Sequence, residues 1–203
     1  AAAQADRTLA EAWQSRRAYP LVVTQGDGNL GVKGKNFEML FSIAGAGPAS
    51  LKVNGTEWLW RAPRPAFWRA STDNDRGCGF PLRAAAWMAA DVFVTYNGMK
   101  VLEAGPDCVK VQFQFGIPTV PGASAELVYT VEAQGALRVD AVYHGVAGAP
   151  ELPCFGVKFE TFGPVTRTVW TGLSGETYPD RYKGGVFGCH EETPHVEPHL
   201  VPQ

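Results

Sequence analysis

Asp73, Asn74, Asp75 and Arg76, closed by Gly77, set two carboxylates, an amide and a guanidinium side by side, with a further arginine, Arg69, just upstream. Asp73 and Asp75 alternate about Asn74 as oxygen ligands do in calcium loops, but the rest of that spacing and its closing Glu are absent. The other reading is an ordered turn whose carboxylates accept loop N–H groups or pair with arginine. A second polar segment, Glu176, Tyr178, Asp180 and Arg181, follows Trp170 and lies between glycines at 172, 175, 184 and 185. Rings beside carboxylates and arginine suit a sugar, the rings stacking on its apolar faces and the charged groups fixing its hydroxyls. The same groups also make an Arg–carboxylate clamp that holds a long loop. Because Pro179 stiffens this turn, we assign the second segment the structural role.

Other reactive side chains are sparse. The histidines are His144, His190, His195 and His199, none in a recognisable catalytic pairing. His190, beside Glu191 and Glu192, is the best acid–base candidate, although a surface histidine next to acids usually only titrates. Cys78, Cys108, Cys154 and Cys189 are far apart, form no CxxC pair and have no histidines at zinc-finger spacing. We therefore expect no metal site and no cofactor. Small buried thiols in a reducing compartment are the expectation, which points to the cytoplasm.

The elements that must position these groups read as strands. Twenty-three Gly and fifteen Pro, spread throughout, punctuate short runs rich in Val, Phe, Tyr and Trp. Leu21 to Thr24 and Asn29 to Lys33 flank Asp27-Gly28 as a hairpin, and Ser50 to Val53 and Glu57 to Arg61 flank Asn54-Gly55, the strongest hairpin turn in the chain. Phe37, Met39, Phe41 and Ile43 alternate with Glu38, Leu40 and Ser42, predicting one inward face. Val109, Val111, Phe113 and Phe115 do the same against Lys110, Gln112 and Gln114, and Leu137, Val139, Ala141 and Tyr143 against Arg138 and Asp140. Further strands are expected at Val92 to Tyr96, Lys100 to Glu103, Ala125 to Glu132, Phe155 to Phe162 and Arg167 to Leu173. Helix is expected only at Asp6 to Arg17 and Leu82 to Ala89. So many strands without crossover helices predict an all-β protein of antiparallel sheets stacked face to face, a sandwich in preference to a barrel. Phe37, Phe41, Val111, Phe113, Val139, Phe155, Phe159 and Trp170 are the expected core.

Composition excludes several functions. The chain is 45% hydrophobic and 19% charged with a net charge of -2, ordinary values for a folded domain and far from the basic surface a nucleic-acid partner needs. No run approaches 18 consecutive apolar residues, so no membrane helix is expected. The N-terminus lacks the charged-then-apolar order of a signal peptide.

Three ordered motifs add a family resemblance: FWRASTDNDRG at 67–77, LPCFGVKF at 152–159, and GLSGETYPDR at 172–181, followed by Gly188 and the final PHLVPQ. They resemble the C-terminal, small-chain domain of family 2 β-galactosidases over about Tyr19 to the last residue. Residues 1–18 then read as an extension or linker, and 19–203 as an incomplete domain, truncated at its C-terminus. The resemblance implies an antiparallel supersandwich of the galactose-mutarotase-like type, packed on the catalytic barrel of the same enzyme or on a large catalytic subunit. It implies that the acid–base and nucleophile glutamates sit in that barrel, so no catalytic residue is expected here. Asp73, Asn74, Asp75, Arg76 and Gly77 match the family's loop at the mouth of the active site, where Gly77 and Gly79 would let it move. The sequence departs from the family pattern at Cys78-Gly79-Phe80-Pro81. A retaining glycosidase needs two carboxyl groups about 5–5.5 Å apart across the sugar, whereas Asp73 with Asp75 and Glu191 with Glu192 are too close in sequence to suggest more than turn ligands or solvated charge. The expected role is a non-catalytic domain or small subunit of a β-galactosidase that stabilises the assembly and borders its pocket. The alternative is a free-standing carbohydrate-binding or mutarotase-like module.

Overall fold

The computed structural model describes residues 19–173 and 185–193. Of these, strand accounts for 52% and helix for 11%, as period-two patterning requires. The described residues through Phe162 form one compact unit, and those from Gly163 onward belong to a second.

The first unit opens with an antiparallel meander, β1 (Val22–Gln25), β2 (Asn29–Lys33), β3 (Phe37–Ser42), β4 (Gly47–Val53) and β5 (Thr56–Glu57), in that order across the sheet. Both expected hairpins are present. At the β4–β5 turn Asn54 and Gly55 take φ of 51° and 80°, the pair of positive angles that an Asn-Gly hairpin turn demands. β6 (Leu59–Ala66) leaves this sheet. Glu57 marks the departure, because Oε1 accepts the N–H groups of Leu51 at 2.9 Å, Trp58 at 3.1 Å and Leu59 at 3.0 Å. The expected continuous strand over Glu57 to Arg61 is thus broken at Trp58, and β6 runs on through Pro63-Arg64-Pro65 to pair with β11 (Gly156–Thr161). Proline is tolerated there because β6 has a ladder partner on one edge only.

The second sheet has the order β10-β9-β8-β7, formed by β7 (Thr95–Ala104), β8 (Cys108–Gly116), β9 (Ser124–Glu132) and β10 (Leu137–His144). It packs face to face on the meander. Leu30, Val32, Met39 and Phe41 from one sheet meet Val109, Val111, Phe113, Leu127, Tyr129 and Val131 from the other in a single buried cluster. Phe41 lies 6.2 Å from Phe113 and 5.8 Å from Tyr129 between ring centroids, so the sheets interlock through aromatic rings. The architecture is a sandwich.

Three short helices join the sheets: α1 (Asp73–Gly77), α2 (Phe80–Arg83) and α3 (Ala85–Phe93). Helix was expected over Leu82 to Ala89, but α3 continues to Phe93, and the strand expected from Val92 starts only at Thr95. Val92 and Phe93 are β-formers by type, yet burial of Trp87 and Ala90 on the helix face outweighs that preference. A second apolar cluster lies here: Phe67, Phe80, Ala84, Trp87 and Ala90 pack with Ile117, Val120 and Ala125.

Phe41, Val111 and Phe113 are fully buried, as the alternation predicts. Phe37, Val139, Phe155 and Trp170 are only half-buried, and Ile43 and Ala141 are exposed. Phe159 departs most, at 46% exposure, because its place in the core rested on a motif and not on a strand face, and β11 has a register shift beside it. In the second unit β12 (Thr168–Leu173) pairs antiparallel with β13 (Phe187–Glu192). β13 had no clear strand pattern, since Gly188 and the charged Glu191 and Glu192 interrupt it. The helix expected over Asp6 to Arg17 lies outside the described residues.

Candidate functional site

β6 ends at Ala66 and delivers Phe67 into the second cluster, where its ring lies 5.8 Å from those of Trp87 and Phe155. The Phe67 N–H donates to Asp91 Oδ1 at 2.5 Å, which ties the strand end to α3. The polar segment starts from this anchor. Arg69 turns back over it, its guanidinium 6.0 Å from the Phe80 ring and its Nε donating to the Pro153 carbonyl at 3.3 Å. Both terminal nitrogens of Arg69 reach the Asp75 carboxylate, at 2.5 and 3.2 Å.

The segment expected as a loop folds as α1, and the cause is local. Thr72 has an extended backbone and its hydroxyl accepts the Asp75 N–H at 3.2 Å, while the Thr72 N–H donates to Asp75 Oδ2 at 2.8 Å. This is a reciprocal capping box with Asp where Glu or Gln is usual, readable in the sequence as Thr followed three residues later by a carboxylate. Gly79 ends the turn at φ 68°, a left-handed conformation that L side chains resist, and Arg83 donates to the Cys78 carbonyl.

Asp75 therefore faces inward electrostatically. The Arg69 fork, together with the Thr72 N–H, holds its carboxyl well below the usual carboxylate range. A carboxylate so bound is neither a proton donor at neutral pH nor an open ligand. Asp73, Asn74, Arg76 and Gly77 are exposed, with only a loose contact of 3.7 Å between Arg76 and Asp73 and a bond from Arg76 to the Ser71 carbonyl. α1 thus presents a clamped inner carboxylate and a polar outer face. Among the described residues no cluster of metal-ligating side chains is present.

Asp75→Ala is expected to cost about 1–3 kcal/mol at neutral pH, from loss of the cap and of a charge-assisted bond. The folded-state pKa is depressed, so this contribution is complete above the unfolded value near 4 and disappears as pH falls through the folded value. Denaturant titrations at pH 7 and at pH 3 should show the gap between wild type and variant shrinking at the lower pH. An equal gap at both would mean that the ion pair contributes nothing.

Of the other carboxylate pair, Glu191 is engaged. Arg167 holds Glu191 through two bonds of 2.6 and 2.8 Å and lowers its pKa, while Trp170 covers one side of the His190 ring at a centroid distance of 5.5 Å. His190 Nε2 lies 3.1 Å from the Gly172 carbonyl, a hydrogen bond that ties it to β12 rather than to a carboxylate. Glu176, Tyr178, Asp180 and Arg181 lie outside the described residues. No helix among the described residues is long and apolar enough to cross a membrane.

A family model described as "Beta galactosidase small chain" matches residues 33–203. The chain is 44% identical over 203 aligned positions to the "Beta-galactosidase small subunit" of Latilactobacillus sakei, covering 90% of this chain and 64% of that protein. It is 36% identical over 172 positions to a β-galactosidase of Clostridium acetobutylicum, covering 84% of this chain and 19% of that protein. A β-galactosidase of Streptococcus thermophilus is 35% identical over 189 positions, covering 91% of this chain and 18% of the relative. The chain thus spans about two thirds of the small-subunit relative and less than a fifth of the two longer ones.

Proposed function

The chain belongs to the β-galactosidase small-chain family, and on that premise we propose that it is a non-catalytic part of a β-galactosidase. In this reading it associates with a catalytic chain or barrel, stabilises it, and borders the pocket in which terminal β-galactosides are hydrolysed. The observation that carries the reading, beside the family, is α1. Its backbone is fastened by the capping box and the Arg69 fork, while Asp73, Asn74 and Arg76 are exposed as a polar edge. Such an edge can shape a pocket without supplying an acid or a nucleophile, in keeping with the engaged state of Asp75 and Glu191. The role requires no cofactor in this stretch, and we place it in the cytoplasm because the four cysteines are free thiols. A complete sandwich of the galactose-mutarotase-like type is the architecture we propose for the assembled domain.

Complementation tests this. The Clostridium relative, shortened by the segment that matches this chain, is mixed with the purified chain and a chromogenic β-galactoside. The chain alone should leave the substrate intact, and the mixture should hydrolyse it faster than the shortened relative alone. In the mixture, Asn74→Ala should change KM or kcat while leaving the melting temperature of the chain in place. Hydrolysis by the chain alone, or a mixture no better than its catalytic component, would overturn the proposal. Unchanged kinetics in the Asn74 variant would remove α1 from the pocket edge.

A further inference from the structure

β6 and β11 form a two-stranded ribbon, and no further strand pairs with it among the described residues. Its register sets Arg64 opposite Lys158 and Arg61 opposite Glu160. Glu160 is bound through one oxygen to Arg61 at 2.8 Å and through the other to Lys158 at 3.4 Å. Arg61 and Lys158 therefore share one carboxylate. Arg64 has no ion-pair partner among the described residues and faces a like charge across the ribbon, an arrangement that costs stability unless an anion is supplied.

Large exposed rings lie on this ribbon and at its ends, Trp60 on β6, Trp58 just before it and Phe162 just after β11. Trp58, Trp60 and Phe162 are 53%, 60% and 52% exposed, and Phe162 meets Trp60 edge to face at 5.0 Å. Tryptophan and arginine dominate the binding energy of protein interfaces, and a contiguous apolar patch rimmed by charge marks such a surface. An edge-to-face pair covers part of one ring, which suits interdigitation with side chains better than flat stacking on a sugar.

We propose that the Trp58–Trp60–Phe162 face of this ribbon, with Arg64 and Lys158 at its rim, docks on the catalytic part of a β-galactosidase through an apolar surface that carries carboxylates. The occupant is argued from charge and from the relatives. The ribbon sets Arg61, Arg64 and Lys158 against the carboxylate of Glu160 alone, and in the Clostridium and Streptococcus proteins the matched stretch is joined to the remaining four fifths of one chain. This inference rests on the functional reading above and adds to it the surface that makes the contact.

The test uses the whole chain and the shortened Clostridium relative as probe, with affinity read by titration and tryptophan accessibility by oxidative footprinting. Trp60→Ser and Arg64→Glu should each weaken association about tenfold or more, Arg64→Lys should stay near wild type, and Trp58 and Trp60 should become protected on mixing. Both changes lie at exposed positions, and circular dichroism checks the fold. Should Trp60→Ser fail to fold, Arg64→Glu and the wild-type footprint decide. Undiminished binding by Arg64→Glu with Trp58 and Trp60 still reactive overturns the surface and leaves the functional reading standing. No association by the wild-type chain overturns both. Protection of Trp60 by galactose without the probe would replace the proposal with a sugar platform.

Discussion

Phe113→Ala is expected to destabilise the protein by about 3–5 kcal/mol, the range for emptying an aromatic site in a close-packed core. Phe113 is fully buried on β8 and touches rings on three other strands: Phe41 at 6.2 Å on β3, Tyr129 at 5.8 Å on β9 and Tyr96 at 6.2 Å on β7. Removing it opens a cavity between the two sheets, and backbones held in two ladders cannot collapse to fill it. Phe113→Leu keeps much of the volume and should lose clearly less. Equilibrium denaturation of the two variants measures both costs, and a loss below about 1 kcal/mol for Phe113→Ala would show that the sheets are not joined through this face.

Trp87→Ala is expected to have a similar cost, about 3–5 kcal/mol, and a different consequence. Trp87 is fully buried on α3, lies 5.8 Å from Phe67 and 5.7 Å from Tyr143, and its Nε1–H donates to the Pro150 carbonyl at 3.0 Å. Phe67 is the anchor from which Arg69 reaches Asp75, so loss of its wall should loosen the candidate site as well as the core. Trp87→Phe removes the donor but keeps a ring, and about 1 kcal/mol of the loss should belong to the hydrogen bond. Hydrogen exchange distinguishes the two core variants. In Trp87→Ala the amides of Phe67 and Asp75 should exchange faster than expected from the global loss, whereas in Phe113→Ala they should follow it. Unchanged local protection in Trp87→Ala would mean that α1 is held by its own cap and the Arg69 fork alone.

Much of the site was legible only in parts. The residues of α1 stood out as a dense polar run, and Thr72 with Asp75 at the spacing of a capping box was present to be read, but the pair is short and carries Asp in place of Glu or Gln. By sequence the run therefore reads as a loop. That Arg69, rather than Arg76, is the cation on Asp75 depends on Phe67 and Phe80 packing beneath it, which no local pattern expresses. The aromatic face of β6 was missed for a related reason. Pro63 and Pro65 read as the end of a strand, although β6 continues through them to pair with residues nearly a hundred positions later.

What the residues determined by themselves was the strand character, several turns and the family. Alternation along β3 and β8 sets which side chains share a face, because successive residues of a strand point oppositely whatever surrounds them. Asn54-Gly55 sets its turn because few other pairs accept two positive φ angles. Only the tertiary structure decided which of those faces is covered. Phe113 and Phe159 look alike as apolar strand residues, yet the first lies between two sheets and the second on a ribbon with a single neighbour. The difference arises from pairings distant in sequence, whose register depends on where the rest of the chain packs and which leave no periodic trace along it.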